Sequence, residues 1–461
     1  AKNAFLLLFI LYSLALLSIL RENISYRDDI GRTAYGFSGW LDFSRYTTEY
    51  LSKLIHAGSY VSDISPIPQI IAIIELSLAS IFLLKCITGK KTYNLWQIVA
   101  TIPLALNPYF LECLSFKFDS PYMALSILVA VVPVLFIKHF YFFITTTVIS
   151  TVIICTSYQA SIGILPMVTV FSLLTMYING ETLKNLFKTA FYFAIAFLAG
   201  AIIFKTLILQ PTVRDYVSID IAPFDILPNL FVKNMAIYYS DLFSKSGFIG
   251  SSAICKKTSI ITTVVMLIVC VFNSKNNKLL TLLLAALSLT LGAILTYGFY
   301  ACLEKPLFIP RTLYGIGVLL ACIFTIAVSY KEFFIAKICS VILGWSLIVT
   351  ASSYGNALAA QKNWEKFRAE EVVIALASID HGKKKYKVEG NCGLTPSLSY
   401  LTIDKPIFKR LIPQTLGQEF WFWNEPQLSY AYGISELTYD NEITDKGTPL
   451  SVRETKYHTI K

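Results

Sequence analysis

Long apolar runs separated by short polar loops dominate the chain from residue 4 to about residue 352. Most runs hold roughly 17 to 20 residues, enough for a helix to cross a hydrocarbon core of about 30 Å. They lack the alternation of apolar and polar residues that membrane-spanning strands show. The pattern predicts a polytopic α-helical membrane protein with about eleven transmembrane helices, near residues 4–20, 67–85, 94–112, 121–137, 140–157, 160–178, 189–209, 258–272, 279–298, 311–329 and 334–352.

The composition of the 461-residue chain agrees with this interpretation. Hydrophobic residues make up 55% of it and charged residues 15%, and the mean hydropathy is +0.60. Ordinary soluble domains are more charged. The net charge of +10 is scattered over short loops and forms no basic stripe of the kind that binds nucleic acid. Membrane orientation and anionic lipids explain it better, so no nucleic acid partner is expected.

The distribution of lysine predicts the orientation of the chain, because cytoplasmic loops are enriched in basic residues. The N-terminus is expected in the cytoplasm and the C-terminus outside, with the longer loops 21–66 and 210–257 on the outer side. The first run lacks a small-residue cleavage site, so it is predicted to be a span and no signal peptide. The lysines assigned to the cytoplasmic side are Lys90, Lys91, Lys138, Lys184, Lys188, Lys275, Lys278 and Lys331.

Two outer segments show helical periodicity and are predicted to be helices that lie in the membrane interface. In residues 40–56 the apolar positions are Trp40, Phe43, Leu51 and Leu54, and Asp42, Arg45, Glu49, Lys53 and His56 take the opposite side. Residues 229–245 repeat the pattern. Both helices could roof a cavity that faces the outer leaflet.

The composition changes near residue 356, where charged residues replace the apolar run. We therefore predict a transmembrane domain at 1–355 and a small soluble α/β domain at 356–461. Its expected strands are Lys384–Val388 and Leu398–Ile403. The aromatic segment Phe420–Trp423 either packs in the core of this domain or forms a surface that stacks on sugars or rests on the membrane.

The sequence offers little support for metal or nucleotide chemistry. Its four histidines have no partner at metal-ligand spacing, and there is no Walker A loop, G-x-G-x-x-G or G-x-S-x-G motif. No metal site and no cofactor are expected. The nine cysteines contain no C-x-x-C pair, and a bridge between Cys255 and Cys302 is left open.

Charged residues close to apolar runs are functional candidates, because such charges are costly unless they have a role or a partner. The acidic pair Asp28-Asp29 follows the first span and is flanked by Arg27 and Arg32. Asp119 lies on the same predicted side, and Glu112 precedes it by two helical turns. An ordinary solvated loop is the alternative explanation for the acidic pair.

These residue types suit sugar transfer from a lipid phosphate, which needs one base for the acceptor hydroxyl and cations for the departing phosphate. Asp28 or Asp29 is the candidate base, and Asp119 either orients the acceptor or replaces them. Arg311 is the leading phosphate ligand, since a guanidinium matches phosphate oxygens. Weaker phosphate candidates are Arg32, Lys117, Arg214 and Lys305, for which contact with lipid headgroups is the alternative. Tyr158 and Gln159, a polar break in an apolar block, bind a sugar or simply form a turn.

Several short motifs resemble membrane-integral C-type glycosyltransferases, and more closely the phage-type serotype-converting glucosyltransferases of Gram-negative bacteria. They are Asp28-Asp29 with Arg32, Gly39-Trp40 with Arg45, Phe118-Asp119, Tyr158-Gln159 and Pro310-Arg311. The resemblance implies inverting, metal-independent transfer of glucose from undecaprenyl phosphate-glucose to a sugar of lipid-linked O-antigen in the periplasm. This would change the lipopolysaccharide serotype, in the inner membrane, alongside an accessory flippase and a donor synthase. It implies roles for the Asp28-Asp29 pair in catalysis, for Arg311 at the phosphate, and for Trp40, Arg45, Tyr158 and Gln159 at the sugar or acceptor.

Other functions fit parts of the sequence. A lipid-sugar flippase would suit the many helices, but no repeated halves are visible and the acids cluster at one face instead of the midplane. An O-antigen polymerase or ligase would be expected to rely on a late outer loop rich in Arg and His. A structural or receptor role predicts that removal of the Asp28 and Asp29 carboxyls leaves every activity intact.

Overall fold

A computed structural model describes residues 2–210, 221–330, 333–377, 385–386, 390–417, 438–439, 453–454 and 459–460. Within these ranges the chain is mostly helical, and the only extended elements are short. The helices are α1 Lys2–Glu22, α2 Asp28–Tyr35, α3 Tyr46–Ile55, α4 Ile67–Thr88, α5 Leu95–Ala100, α6 Ile102–Leu106, α7 Pro108–Ser115, α8 Ser120–Val131, α9 Phe140–Ser157, α10 Ile164–Ile178, α11 Leu183–Ile203, α12 Leu227–Phe243, α13 Ala253–Asn273, α14 Lys278–Leu295, α15 Gly315–Ser329, α16 Phe334–Ala377, α17 Pro396–Asp404 and α18 Phe408–Leu411.

The helices that follow the predicted apolar runs make this a polytopic helical membrane protein. In the described part of the chain, eight helices are long and apolar enough to span a membrane, or nine if a bent pair is one span. That pair, Leu95–Leu106 and Pro108–Ser115, bends by 59°. The bend lies at Asn107, whose side chain caps α7 by accepting from the amide of Phe110. Two shorter apolar helices, Ser120–Phe136 and Gly315–Ser329, occupy further predicted runs, and the total of eleven stays a prediction.

The spans pack around a continuous buried core, and their outward sides are apolar. Buried residues of α4, α8, α10 and α15 form the centre, with α1 against α16 and α9 against α11. Leu14, Leu198 and Leu283 are among many large apolar side chains that are exposed on the outside. An exposed apolar surface of this extent is typical of contact with lipid.

Two predicted outer helices are present with altered bounds. The segment 40–56 breaks at Ser44, which has a positive φ of 56°, so that a 3-10 turn at Leu41–Phe43 precedes α3. Glu49, predicted on the polar side of α3, is buried, whereas Leu54 is 76% exposed. Trp40 is buried and Leu51 packs against its cluster, whereas Lys53 is exposed, so the predicted division into an apolar and a polar side is not the one found. The other helix, α12, begins two residues before the predicted 229–245 segment and ends two residues before its end.

The C-terminal part differs from the predicted strands. Leu398–Ile403 lies inside α17, so that strand prediction is wrong: Pro396 begins the helix, and the buried Leu398 and Thr402 are four residues apart on one face. The described strands have two residues each: β1 Lys385–Tyr386 pairs in parallel with β2 Thr438–Tyr439, and β3 Arg453–Glu454 pairs antiparallel with β4 Thr459–Ile460. The segment Phe420–Trp423 lies outside the described residues.

The described segment 390–417 is held by polar side chains of the long helix α16. Gln361 donates to the carbonyl of Gly393 (3.0 Å) and accepts from the amide of Thr395 (2.9 Å). Glu365 accepts from the amide of Thr415 (2.9 Å). Helix α16 continues through residue 356, and the domain boundary there stays a prediction. All nine cysteines are free, so Cys255 and Cys302 form no bridge.

Candidate active site

The first loop after α1 places two adjacent carboxylates in opposite environments. Asp28 and Asp29 form the first turn of α2, where the helix dipole favours negative charge. Asp28 is exposed and, in the described part of the chain, makes no hydrogen bond or ion pair. Asp29 is fully buried. The pair therefore offers one open carboxylate and one that is fixed in the protein.

Asp29 ties the first loop to the segment that precedes α8. Its Oδ2 atom accepts from the amides of Tyr26 (3.1 Å) and Lys117 (2.9 Å), and Arg32 lies 3.9 Å from Oδ1. Burial raises the pKa of the Asp29 carboxyl to about 8, although Arg32 and the Lys117 amide favour the charged form. Asp29 thus joins two distant segments and has no route to a substrate in this arrangement.

Asp119 is enclosed by Arg32 and Trp40. Arg32 donates to Asp119 Oδ2, and Trp40 Nε1 donates to Oδ1 at 2.6 Å. The Arg32 guanidinium also lies 4.7 Å from the centre of the Trp40 ring. All three side chains are buried. The structure brings these three predicted residues together, but as an internal network whose charges satisfy each other.

Arg311 reaches the same region from the loop before α15. Its Nη1 donates to Glu112 Oε1 (3.0 Å) and its amide to Oε2 (2.8 Å). Burial alone would lower the pKa of Arg311, but Glu112, with Tyr158 and Asp28, raises it above its ordinary value. The side chain remains 24% exposed. Arg311 is thus a charged, oriented guanidinium with part of its surface open, and the same Glu112 oxygen lies 3.9 Å from Arg27, the residue before Asp28.

Tyr158 and Gln159 connect Arg311 with Arg45. Tyr158 donates from its hydroxyl to the Arg311 carbonyl at 3.0 Å. Gln159 accepts from Arg45 Nε at 3.4 Å and donates to the Phe43 carbonyl at 3.0 Å. Arg45 lies over the rings of Phe43 (5.0 Å) and Tyr158 (4.8 Å). The polar break between α9 and α10 therefore both forms a turn and holds two arginines.

Other predicted phosphate ligands lie elsewhere. Lys117 is buried, and its ammonium binds Asp63 (2.6 Å) and Asn23 (3.2 Å). Lys305 is exposed in the loop before Arg311. Arg214 lies outside the described residues.

Glu112 is a residue whose role in the site the sequence did not predict. It has no exposed surface and lies between two arginines. Arg27 Nε is 3.9 Å from Glu112 Oε1, and Tyr26 donates to the same oxygen at 3.4 Å. The sequence feature that could have identified Glu112 is its position as a charged residue at the end of the apolar run 94–112. The partner of such a charge, however, depends on the fold.

Comparisons with known proteins bear on the chemistry of this region. A family model described as "Glucosyl transferase GtrII" matches residues 17–322, which include Asp28, Glu112, Asp119 and Arg311. A protein of Salmonella phage P22, described as an uncharacterized 55.3 kDa protein in the gtrB 5′ region, is 26% identical over 491 residues, covering 96% of this chain and 92% of the relative. No solved structure matches the chain significantly.

Proposed function

The chain belongs to the glucosyl transferase GtrII family and is a glycosyltransferase, and from this premise we propose that it moves glucose from undecaprenyl phosphate-glucose to a sugar of lipid-linked O-antigen. Transfer takes place at the periplasmic face of a bacterial inner membrane and changes the lipopolysaccharide serotype. The N-terminus is cytoplasmic, residues 1–355 carry the reaction, and residues 356–461 form a periplasmic domain. A donor synthase and an accessory flippase supply the donor.

The observation that supports this proposal best is an exposed carboxylate in the same cluster as a partly exposed guanidinium. Asp28 is exposed, and Arg27, the residue before it, lies 3.9 Å from the Glu112 oxygen to which Arg311 donates at 3.0 Å. Single displacement at an anomeric carbon needs one such base and one such cation. Asp29 and Asp119 are buried in internal contacts. Of the three candidate acids, Asp28 is therefore the base that can reach an acceptor.

The reaction follows from these two positions. An acceptor hydroxyl oxygen attacks the anomeric carbon, and Asp28 takes the hydroxyl proton. The bond between that carbon and the phosphate oxygen breaks, and the electron pair leaves with undecaprenyl phosphate. Arg311 stabilises the charge that develops on this oxygen. Attack opposite the leaving group inverts the anomeric centre, and a guanidinium in this role removes the need for a metal.

The remaining candidates act around this centre. Glu112 orients Arg311, while Asp29, Arg32 and Asp119 hold the first loop. Trp40 is buried against Asp119, so it supports the site without touching a sugar. Gln159 is half-buried and remains a candidate for sugar contact.

The test is transfer by purified, reconstituted protein from radiolabelled undecaprenyl phosphate-glucose to lipid-linked O-antigen. Asp28→Asn should lower kcat by about a hundredfold or more and leave donor binding and melting temperature unchanged. Asp225→Asn, which alters an exposed carboxylate in a later loop, should transfer normally. Normal turnover by Asp28→Asn would remove Asp28 as the base. Lipid movement across the bilayer without any transfer by wild type would favour the flippase.

A further inference from the structure

An apolar groove of about 820 Å³ opens beside the candidate active site. Helix α3 forms one wall, the outer end of α9 and part of α8 form the floor, and the π-helical end of α11 at Phe204–Ile208 closes the far side. Its lining includes Tyr46, Leu51, Leu125, Ile153, Leu207 and Leu209. A volume of this size suits an apolar ligand.

The walls of the groove are fixed by hydrogen bonds, so the opening is a built feature of the fold. The hydroxyls of Thr47 and Thr156 are 2.7 Å apart, and Thr48 donates to the Ser157 carbonyl at 3.2 Å. The amide of Gln210 donates to the hydroxyl of Ser44 at 3.0 Å. These contacts hold α3 against α9 and against the end of α11.

Arg45 lies next to this groove, between the lining residue Tyr46 that follows it and Gln159, which it contacts and which comes three residues after the lining residue Thr156. It forms no ion pair in the described part of the chain. Two aromatic rings and the amide oxygen of Gln159 support its guanidinium. A half-buried charge supported in this way is stabilised further by an anion.

Arg45 and Arg311 flank the same aromatic side chain. Arg45 lies over the Tyr158 ring, and the Tyr158 hydroxyl donates to the Arg311 carbonyl. Burial raises the pKa of Tyr158, and Arg311 and Arg45 both oppose that rise, as nearby positive charges do. The contacts therefore run from Arg45 through Tyr158 to Arg311, and Glu112 joins Arg311 to Arg27, the residue before Asp28.

We infer that the groove holds the first isoprene units of the donor's lipid chain and that Arg45 shares the donor phosphate with Arg311. The inference rests on the proposed function and makes Arg45 a ligand of the donor phosphate, where the sequence suggested the sugar or the acceptor. An apolar groove next to a cation that forms no ion pair among the described residues complements a single apolar chain ending in phosphate. The sugar then lies toward Asp28, and the rest of the donor's isoprenoid chain lies among the membrane lipids.

Photolabelling tests occupancy without requiring turnover. The probe is a polyprenyl phosphate with a diazirine in its first isoprene units and no sugar, added to the reconstituted full chain. Label should map to residues 46–51, 125–129, 152–156 and 206–210, and undecaprenyl phosphate should compete it away. Label elsewhere, or equal competition by phosphatidylglycerol, would overturn the inference in favour of an ordinary phospholipid.

Kinetic variants separate the contribution of the lipid chain to donor binding from the contribution of the phosphate. Ile153→Trp fills the groove and should raise KM about tenfold for the long-chain donor, but not for a donor that carries a methyl group in place of the isoprene chain. Ile195→Trp, at an exposed position of α11 away from the groove, is its control. Arg45→Ala should raise KM about tenfold or more for both donors, with partial recovery in Arg45→Lys. Arg21→Ala, at an exposed arginine, should change neither.

Failure of the inference and failure of the proposed function give different results. Normal transfer by wild type, with Ile153→Trp and Arg45→Ala matching their controls, would overturn the groove assignment alone. Specific labelling of the groove without transfer from any polyprenyl phosphate sugar would retain the lipid site and overturn the transferase proposal.

Discussion

Asp28 and Asp29 show how far the environment of two adjacent carboxyls can diverge. The ordinary pKa of an aspartate is 3.8, and burial raises that of Asp29 to about 8. Between these values the folded protein keeps a proton that the unfolded chain releases. The contribution of this group to stability must therefore fall as the pH rises from about 4 to about 8.

Asp29→Asn should remove this pH dependence, because an asparagine oxygen still accepts from the Tyr26 and Lys117 amides without carrying charge. We expect the melting temperature of wild type in detergent to fall more between pH 5 and pH 8 than that of the variant. Thermal unfolding at both pH values measures the difference. Parallel curves for the two proteins would contradict the assigned protonation state.

At the level of elements, the turn between α9 and α10 depends on a close backbone approach. A Cβ atom at Gly163 would lie 2.2 Å from the Leu295 carbonyl oxygen and 2.9 Å from Gly298 Cα. This contact seats the turn that carries Tyr158 and Gln159 against the loop after α14. The position of both arginines in the site depends on this packing.

Gly163→Ala should therefore destabilise the protein by about 2 kcal/mol through overpacking, and it should also lower transfer by about tenfold as the site shifts. Gly89→Ala is a useful comparison, since that residue ends α4 with a φ of 67° and has no atom within 4 Å of an added Cβ. It should cost about 1 kcal/mol and leave transfer unchanged. If Gly163→Ala and Gly89→Ala changed transfer equally, a link between this packing and the site would be refuted.

At the scale of the whole molecule, contacts join the segment 390–417 to the first loop and to α12. Arg410 Nη1 lies 2.7 Å from Asp241 Oδ1 on α12, and Tyr26 in the first loop donates to the Leu411 carbonyl at 2.6 Å. Three regions that are far apart in sequence therefore meet here. The described C-terminal segment is packed on the transmembrane body at this point.

A double-mutant cycle on Arg410→Ala and Asp241→Ala measures this packing. The pair is partly buried, with side chains 19% and 23% exposed, so we expect a coupling energy of about 1 kcal/mol in detergent unfolding. The exposed pair Lys366 and Glu370, with 3.9 Å between its charged atoms, should couple less strongly. No coupling between Arg410 and Asp241 would show that the segment does not pack on α12 in solution.

The positions of the spans could be predicted from sequence because long apolar runs have few alternatives in a membrane. The bend at Asn107 and the helix at Leu398 could not, since a capping side chain and a buried helical face compete with simple run length. The candidate acids were recognisable as charges beside apolar runs. Their separation into open Asp28 and buried Asp29 depends on an amide at Lys117, which only the fold brings near.

The uninterrupted length of α16 joins the apolar spans to the segment 390–417. Its 44 residues give a rod of about 66 Å, more than twice the thickness of a hydrocarbon core. Helical structure continues from its apolar half into the half that holds residues 390–417, so the helix sets the distance between them. Helix length therefore acts as a ruler for the position of residues 390–417 relative to the apolar spans.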